Sequence, residues 1–183
     1  ADVPTWAVRC DELFERDGGI YVDSRGKEWD DNADRFGVFG TIIARLVAAP
    51  VDAFRPDLVH LNDWHTGVAA PWLRKHAPRV PVVFTIHNLA YQGLFGRDAF
   101  ERLGLPADWW SVDGVEFHGR MSFMKAGIRF ADAVTTVSPA YAREICKPGC
   151  GYGLVGVLRA RSDSVTGSLN GIDSDIWDAR CDP

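Results

Sequence analysis

The chain has 183 residues, 46% of them apolar and 25% charged, and a net charge of −5, the composition of a soluble globular domain long enough for a sizeable core. Acidic residues crowd the stretch from Asp2 to Asp34, and no basic face points to a nucleic-acid partner. No apolar run approaches the ~20 residues of a membrane span, and the amino end carries neither the charged nor the apolar region of a signal peptide.

The first strongly periodic segment runs from Asn32 to Ala49. Phe36, Phe39, Ile43, Leu46 and Val47 share one face of a helix there, and Asp30-Asp31-Asn32 offers an N-cap. A short strand follows at Leu58, Val59 and Leu61, and then a helix over 67–76 that Pro78 and Pro81 end. The run Val82 to Ile86 is a second strand. A small helix over 97–103, an aromatic stretch around Trp109 and Trp110, and a helix over 120–131 come next. "DAVTTVS" reads as a strand, with Ser138 as the N-cap and Pro139 near N1 of the helix after it. A glycine-rich turn, "GCGYGLVG", leads to a last helix, and "SVTGSLNG" to a short strand running into a turn. Strands that are near-continuous apolar runs and alternate with helices predict an α/β fold: a parallel sheet covered by helices on both faces.

In such sheets ligands bind outside the carboxyl ends of the strands. Four of these ends are polar here: Asn62-Asp63-Trp64-His65, His87-Asn88, Ser138-Pro139 and Asn170-Gly171. Their concentration on one rim predicts a site. His60, Asp63 and His65 invite a metal reading, but no further cluster at a recognisable spacing completes it, and the expectation is no metal. Asp63 has an alternative role as N-cap of the following helix, and His87 one as a hydrogen-bonded end of a buried strand. Trp64, Trp109, Trp110 and Trp177 are either core residues or sugar-stacking platforms. The sequence has no GxSxG elbow, GxGxxG fingerprint or GxxxxGK[ST] loop. Cys10, Cys146, Cys150 and Cys181 form no CxxC pair and no zinc pattern, which predicts reduced thiols in a cytosolic protein. These readings alone reach a parallel α/β domain with a polar strand-end cleft.

The blocks "VHLNDWHTG", "VVFTIHNLAYQG", "DGVEFHGRMSFMKAGIRFADAVTTVSPAYAREI" and "LNGID" resemble, in the same order, those of bacterial glycogen synthases and plant starch synthases. "GIYVD" and "DNADRFGVFG" extend the likeness from about Gly19 onward. The resemblance implies a GT-B fold, two Rossmann-like domains facing each other across a cleft. It also implies retaining transfer of glucose from ADP-glucose to the non-reducing end of an α-1,4-glucan, without cofactor or metal, in the cytoplasm. Carried over by position, His87 and Asp63 are the expected catalytic residues, with the His87 ring and carbonyl against the transferred glucose. Asn88, Asn170 and, more weakly, Trp64 are the expected substrate-binding residues.

A retaining transfer passes through an oxocarbenium-like state that preorganised dipoles stabilise. This family is held to use the leaving phosphate as base, and "IHNLAYQG" brings no second carboxylate beside His87. Val155 stands where the family carries glutamate, and "CKPGC" replaces a loop with fewer cysteines. The Lys-x-Gly-Gly-Leu loop that approaches the donor diphosphate does not occur in these residues. The expectation is therefore part of an amino-terminal domain, spanning residues 1–183, without the carboxy-terminal domain needed for the donor site. The alternatives are a glucan-binding module without catalysis and a metal-dependent hydrolase built on His60, Asp63 and His65.

Overall fold

The computed structural model describes residues 3–49, 54–173, 177, 178 and 180; Cys181 and residues 174–176 lie outside them. In chain order the elements begin with α1 (Asp11–Phe14), α2 (Asn32–Ala48), β1 (Val59–Asn62), α3 (Asp63–Gly67) and α4 (Ala69–His76). Then come β2 (Val82–Ile86), β3 (Leu94–Phe95), α5 (Arg97–Arg102), β4 (Glu116–Phe117) and β5 (Arg120–Ser122). The last are α6 (Phe123–Phe130), β6 (Ala133–Thr136), α7 (Pro139–Glu144), α8 (Val155–Arg159) and β7 (Val165–Gly167).

The parallel α/β sheet expected from the strand runs is present, in the order β1-β2-β6-β7. Each parallel strand is added on the same side of the last, so right-handed crossovers carry the connecting helices over one face. Burial follows that geometry. Val59 and Leu61 of β1, Phe84 of β2 and Val134 of β6 are buried under the helical layer, together with Leu73, Met124 and Ile128. The opposite face is polar: His60 Nε2, Thr85 Oγ1 and Thr135 Oγ1 form a hydrogen-bonded row across β1, β2 and β6, at 2.6 and 2.5 Å. The cover is thus unequal between the two faces.

Three local differences from the sequence expectations have physical causes. The helix expected over 67–76 is two helices that break at Val68. Pro71 has no amide hydrogen to donate to the Gly67 carbonyl, and its ring crowds that carbonyl. The helix expected over 120–131 begins only at Phe123, with Ser122 Oγ accepting the Lys125 amide hydrogen at 3.1 Å. Arg120–Ser122 instead forms the centre of a small antiparallel sheet, β3-β5-β4, of which β4 belongs to the aromatic stretch. The helix after β6 starts as predicted, with Ser138 accepting from the Tyr141 amide and Pro139 in its first turn.

α3 packs against α6 at backbone distance. A Cβ on Gly67 would stand 1.9 Å from the Phe123 carbonyl oxygen, so this position admits no side chain. The close approach fixes the helix that begins at Asp63 against the fully buried α6 residues Phe123 and Met124. Among the described residues no helix is long and apolar enough to cross a membrane.

Candidate active site

Register places Asn62, Thr85, Thr135 and Thr166 side by side, so the carboxyl ends of all four strands share one rim. At the end of β1 the chain turns sharply, and Asp63 adopts φ +56, a left-handed conformation that Asp tolerates better than most residues. The turn aims its carboxylate sideways at the neighbouring strand, where Oδ1 accepts the His87 amide hydrogen at 2.8 Å. Asn62 occupies the N-cap position of α3, without a side-chain cap bond, so Asp63 is not the N-cap foreseen as its alternative role; its carboxylate binds the end of β2 instead. His87 Nε2 lies 3.1 Å from Asn62 Oδ1, which ties the imidazole to the end of β1 as well.

The segment after His87 is held from several elements. Asn88 Oδ1 accepts the Ala90 amide hydrogen at 3.0 Å, closing a local turn. The Leu89 amide donates to the Tyr141 hydroxyl of α7 at 3.0 Å, and burial pushes that phenol's pKa up. The Gln92 and Gly93 carbonyls accept from the first amides of α6, Met124 and Phe123. Residues 87–93 are therefore clamped between α3, α6 and α7.

Two adjoining clefts open on this rim. The larger, about 1050 Å3, is lined by Tyr21, Asp63, Trp64, Asn88, Tyr91 and Gln92 among others. The smaller, about 410 Å3, is lined by His87, Asn88, Tyr141, Glu144, Cys150 and Tyr152 among others. Asn88 and Tyr152 belong to both. Trp64 is 9% exposed and packs against Phe36 with ring centroids 4.7 Å apart, so it is a wall of the larger cleft more than a free platform. Asn170 lies on the exposed coil beyond β7 and lines neither cleft. Of the five residues singled out from sequence, the fold brings Asp63, Trp64, His87 and Asn88 together and leaves Asn170 outside.

Several lining residues were not singled out. Tyr21, Tyr91 and Tyr152 are large aromatics exposed on loops, and that exposure is a product of the fold which no spacing in the sequence announces. Tyr21 is positioned by α2: its carbonyl accepts from Asn32 Nδ2 at 3.0 Å, and the buried Arg35 donates to the Ile20 carbonyl at 2.7 Å. Its ring stacks on His65, 5.2 Å between centroids. His65 Nε2 is buried without a hydrogen-bond partner, and burial lowers this imidazole's pKa against a weaker opposing pull from Asp63.

His60, Asp63 and His65 do not converge. His60 bonds to Thr85, Asp63 to the His87 amide, and His65 lies among the rings of Tyr21, Phe36 and Trp64. Among the described residues no group of three His, Cys, Asp or Glu side chains is placed to hold a metal ion. Cys10, Cys146 and Cys150 are free thiols.

A family model described as starch synthase catalytic domain matches residues 1–160. "Glycogen synthase 2" of Nitrosococcus oceani is 49% identical over 180 residues, 98% of this chain and 37% of that protein. A glycogen synthase of Hydrogenovibrio crunogenus is 50% identical over 186 residues, 100% of this chain and 38% of that protein. Among solved structures, the catalytic domain of starch synthase IV from Arabidopsis thaliana, bound to ADP and acarbose, superposes with a TM-score of 0.73 at 32% identity. That match covers 87% of this chain and 34% of the other. The chain spans little more than a third of the length of the curated relatives it matches.

Proposed function

The chain belongs to the starch synthase catalytic domain family, and from that premise we propose that it is part of a glycogen or starch synthase. The proposed reaction transfers glucose from ADP-glucose to the non-reducing end of an α-1,4-glucan with retention, in the cytoplasm. The observation that carries this reading is the clamped strand end: Asp63, His87 and Asn88 meet at the junction of two clefts. The likeness to a starch synthase solved with ADP and acarbose supports a nucleotide-sugar donor and a glucan acceptor as the two partners.

In this reading the larger cleft takes the acceptor glucan and the smaller the transferred glucose. A glucan offers hydroxyls and apolar ring faces. The larger cleft answers with the aromatic rings of Tyr21 and Tyr91 and with Asn88, whose Nδ2 has no partner among the described residues. Asp63 holds the His87 amide, which directs the ring and carbonyl of His87 to the rim where the anomeric carbon would sit. A fixed dipole there stabilises developing positive charge without reorganising during the reaction. The donor phosphates need cationic groups that we assign to a carboxy-terminal domain, and Asn170 to the path between the two domains.

The test is a calorimetric titration of the 183-residue chain with maltoheptaose and, separately, with ADP-glucose. Weak maltoheptaose binding that disappears in Asp63→Ala and Asn88→Ala, with no ADP-glucose binding and no glucosyl transfer, is the expected result. Tight ADP-glucose binding, or turnover by this chain alone, would overturn the division of the site between two domains.

A further inference from the structure

We propose that Tyr152 is a sugar-stacking residue shared by both clefts and that Gln92 is the positioning residue that holds it there; the proposal rests on the glucan reading above. Tyr152 is 57% exposed, lines the larger and the smaller cleft alike, and stacks on no other aromatic ring among the described residues. A large ring left open between two clefts is suited to the apolar face of a hexose. The backbone that presents it is unusual. Tyr152 has φ +47 and Gly153 φ +85, and a Cβ on Gly153 would stand 2.7 Å from the Phe117 ring. A tyrosine in the left-handed region persists only where its surroundings hold it.

Gln92 is what holds it. This side chain is 7% exposed, and its Nε2 donates to the Tyr152 carbonyl at 2.9 Å across 60 residues of sequence. Its Oε1 is buried without a partner. A buried carboxamide whose oxygen goes unpaired is a poor choice for stability alone. Its value lies in the one bond it does make. Gln92 sits four residues after Asn88 in the same clamped segment, so one stretch of chain orients His87, Asn88 and, through Gln92, the ring of Tyr152.

The experiment is maltoheptaose titration of the full 183-residue chain and its variants, with thermal melting as the control for folding. Tyr152→Ala and Tyr152→Leu are expected to weaken binding about tenfold, the scale of losing one ring face of apolar contact, with unchanged melting. Tyr152→Trp is expected to retain affinity. Gln92→Met keeps the volume and removes the donor, and it is expected to weaken binding in the parent chain but to have no further effect in Tyr152→Ala. A purely structural role for Gln92 predicts equal losses in both backgrounds, which would overturn its positioning role. Binding lost in Asn88→Ala but untouched in Tyr152→Ala and Tyr152→Leu would overturn the Tyr152 assignment and leave the glucan reading intact. A parent chain that does not bind maltoheptaose would overturn both.

Discussion

The ends of β2 and β7 reach the same rim of one sheet, yet they are built in opposite ways. After β2 the chain is tied down at almost every step: His87 to Asp63, Leu89 to Tyr141, Gln92 and Gly93 to the start of α6. After β7 the Ser168 amide donates to the Thr136 carbonyl, and Leu169 and Ile172 beyond it are largely exposed. One strand end is preorganised by the domain that contains it. The other is presented outward. The difference separates a strand end fixed by contacts to three other elements from one whose residues face outward.

The clamped end of β2 depends most on Gly67. Its missing side chain lets α3 touch α6, and α3 is what aims Asp63 at β2. Gly67→Ala would place a methyl group inside the distance of a backbone carbonyl, and an overpacked backbone contact costs about 3 kcal/mol or more. The expected outcome is a chain that melts far lower or fails to fold, measured by thermal denaturation; a wild-type melting curve would mean that α3 is not fixed by this contact.

Asp63 carries the next largest effect. Asp63→Ala removes the acceptor of the His87 amide, an exposed bond worth about 0.5–1.5 kcal/mol, and with it the residue's tolerance for φ +56. Asp63→Asn keeps both an acceptor oxygen and the left-handed preference. The asparagine variant is expected to melt within a few degrees of the parent while losing the maltoheptaose binding that the charged carboxylate lining the larger cleft provides, whereas the alanine variant loses both. Equal binding by parent and Asp63→Asn would reduce Asp63 to a structural pin.

Much of this was legible in the sequence because hydrophobic runs and polar strand ends are local features. Val82 to Ile86 reads as a strand, and Ser138-Pro139 reads as a helix start, from a few neighbouring residues. The polar character of the rim follows from the same reading. The small sheet did not, because Arg120–Ser122 pairs with segments whose alternation is too short to register. Nor did the role of Asp63, since a carboxylate at a strand-to-helix turn serves its own helix by default and only the sheet register brings His87 to it. Tyr152 and Gln92 lie 60 residues apart, and their bond is a property of the tertiary fold.

A smaller effect separates the buried wall of the larger cleft from its open rim. Burial depresses the His65 pKa below its ordinary value of 6.5. A group depressed in the folded state leaves the unfolded chain binding more protons, so its stabilisation is present above pH 6.5 and is lost as pH falls through the folded value. The chain is therefore expected to lose stability on acidification from pH 7 toward 5, and His65→Phe, which keeps a ring against Tyr21, is expected to lose less over the same range. An identical pH dependence in the two proteins would mean that His65 is not shielded in solution.

The smallest expected effect belongs to Asn170, at the outward end of β7. Asn170 is exposed on the coil after β7 and faces neither cleft. Surface substitutions away from caps and buried partners stay within about 0.5 kcal/mol, so Asn170→Ala is expected to leave melting unchanged. Maltoheptaose binding by the 183-residue chain should be unchanged too, because no wall of the acceptor cleft is altered. Only in a longer protein carrying a second domain should the substitution reduce glucosyl transfer. Such a result would separate a residue that acts across two domains from residues such as Asn88 that act within one. A loss of maltoheptaose affinity in the 183-residue chain would instead mean that the coil folds back over the rim, and the contrast between the two strand ends would not hold in solution.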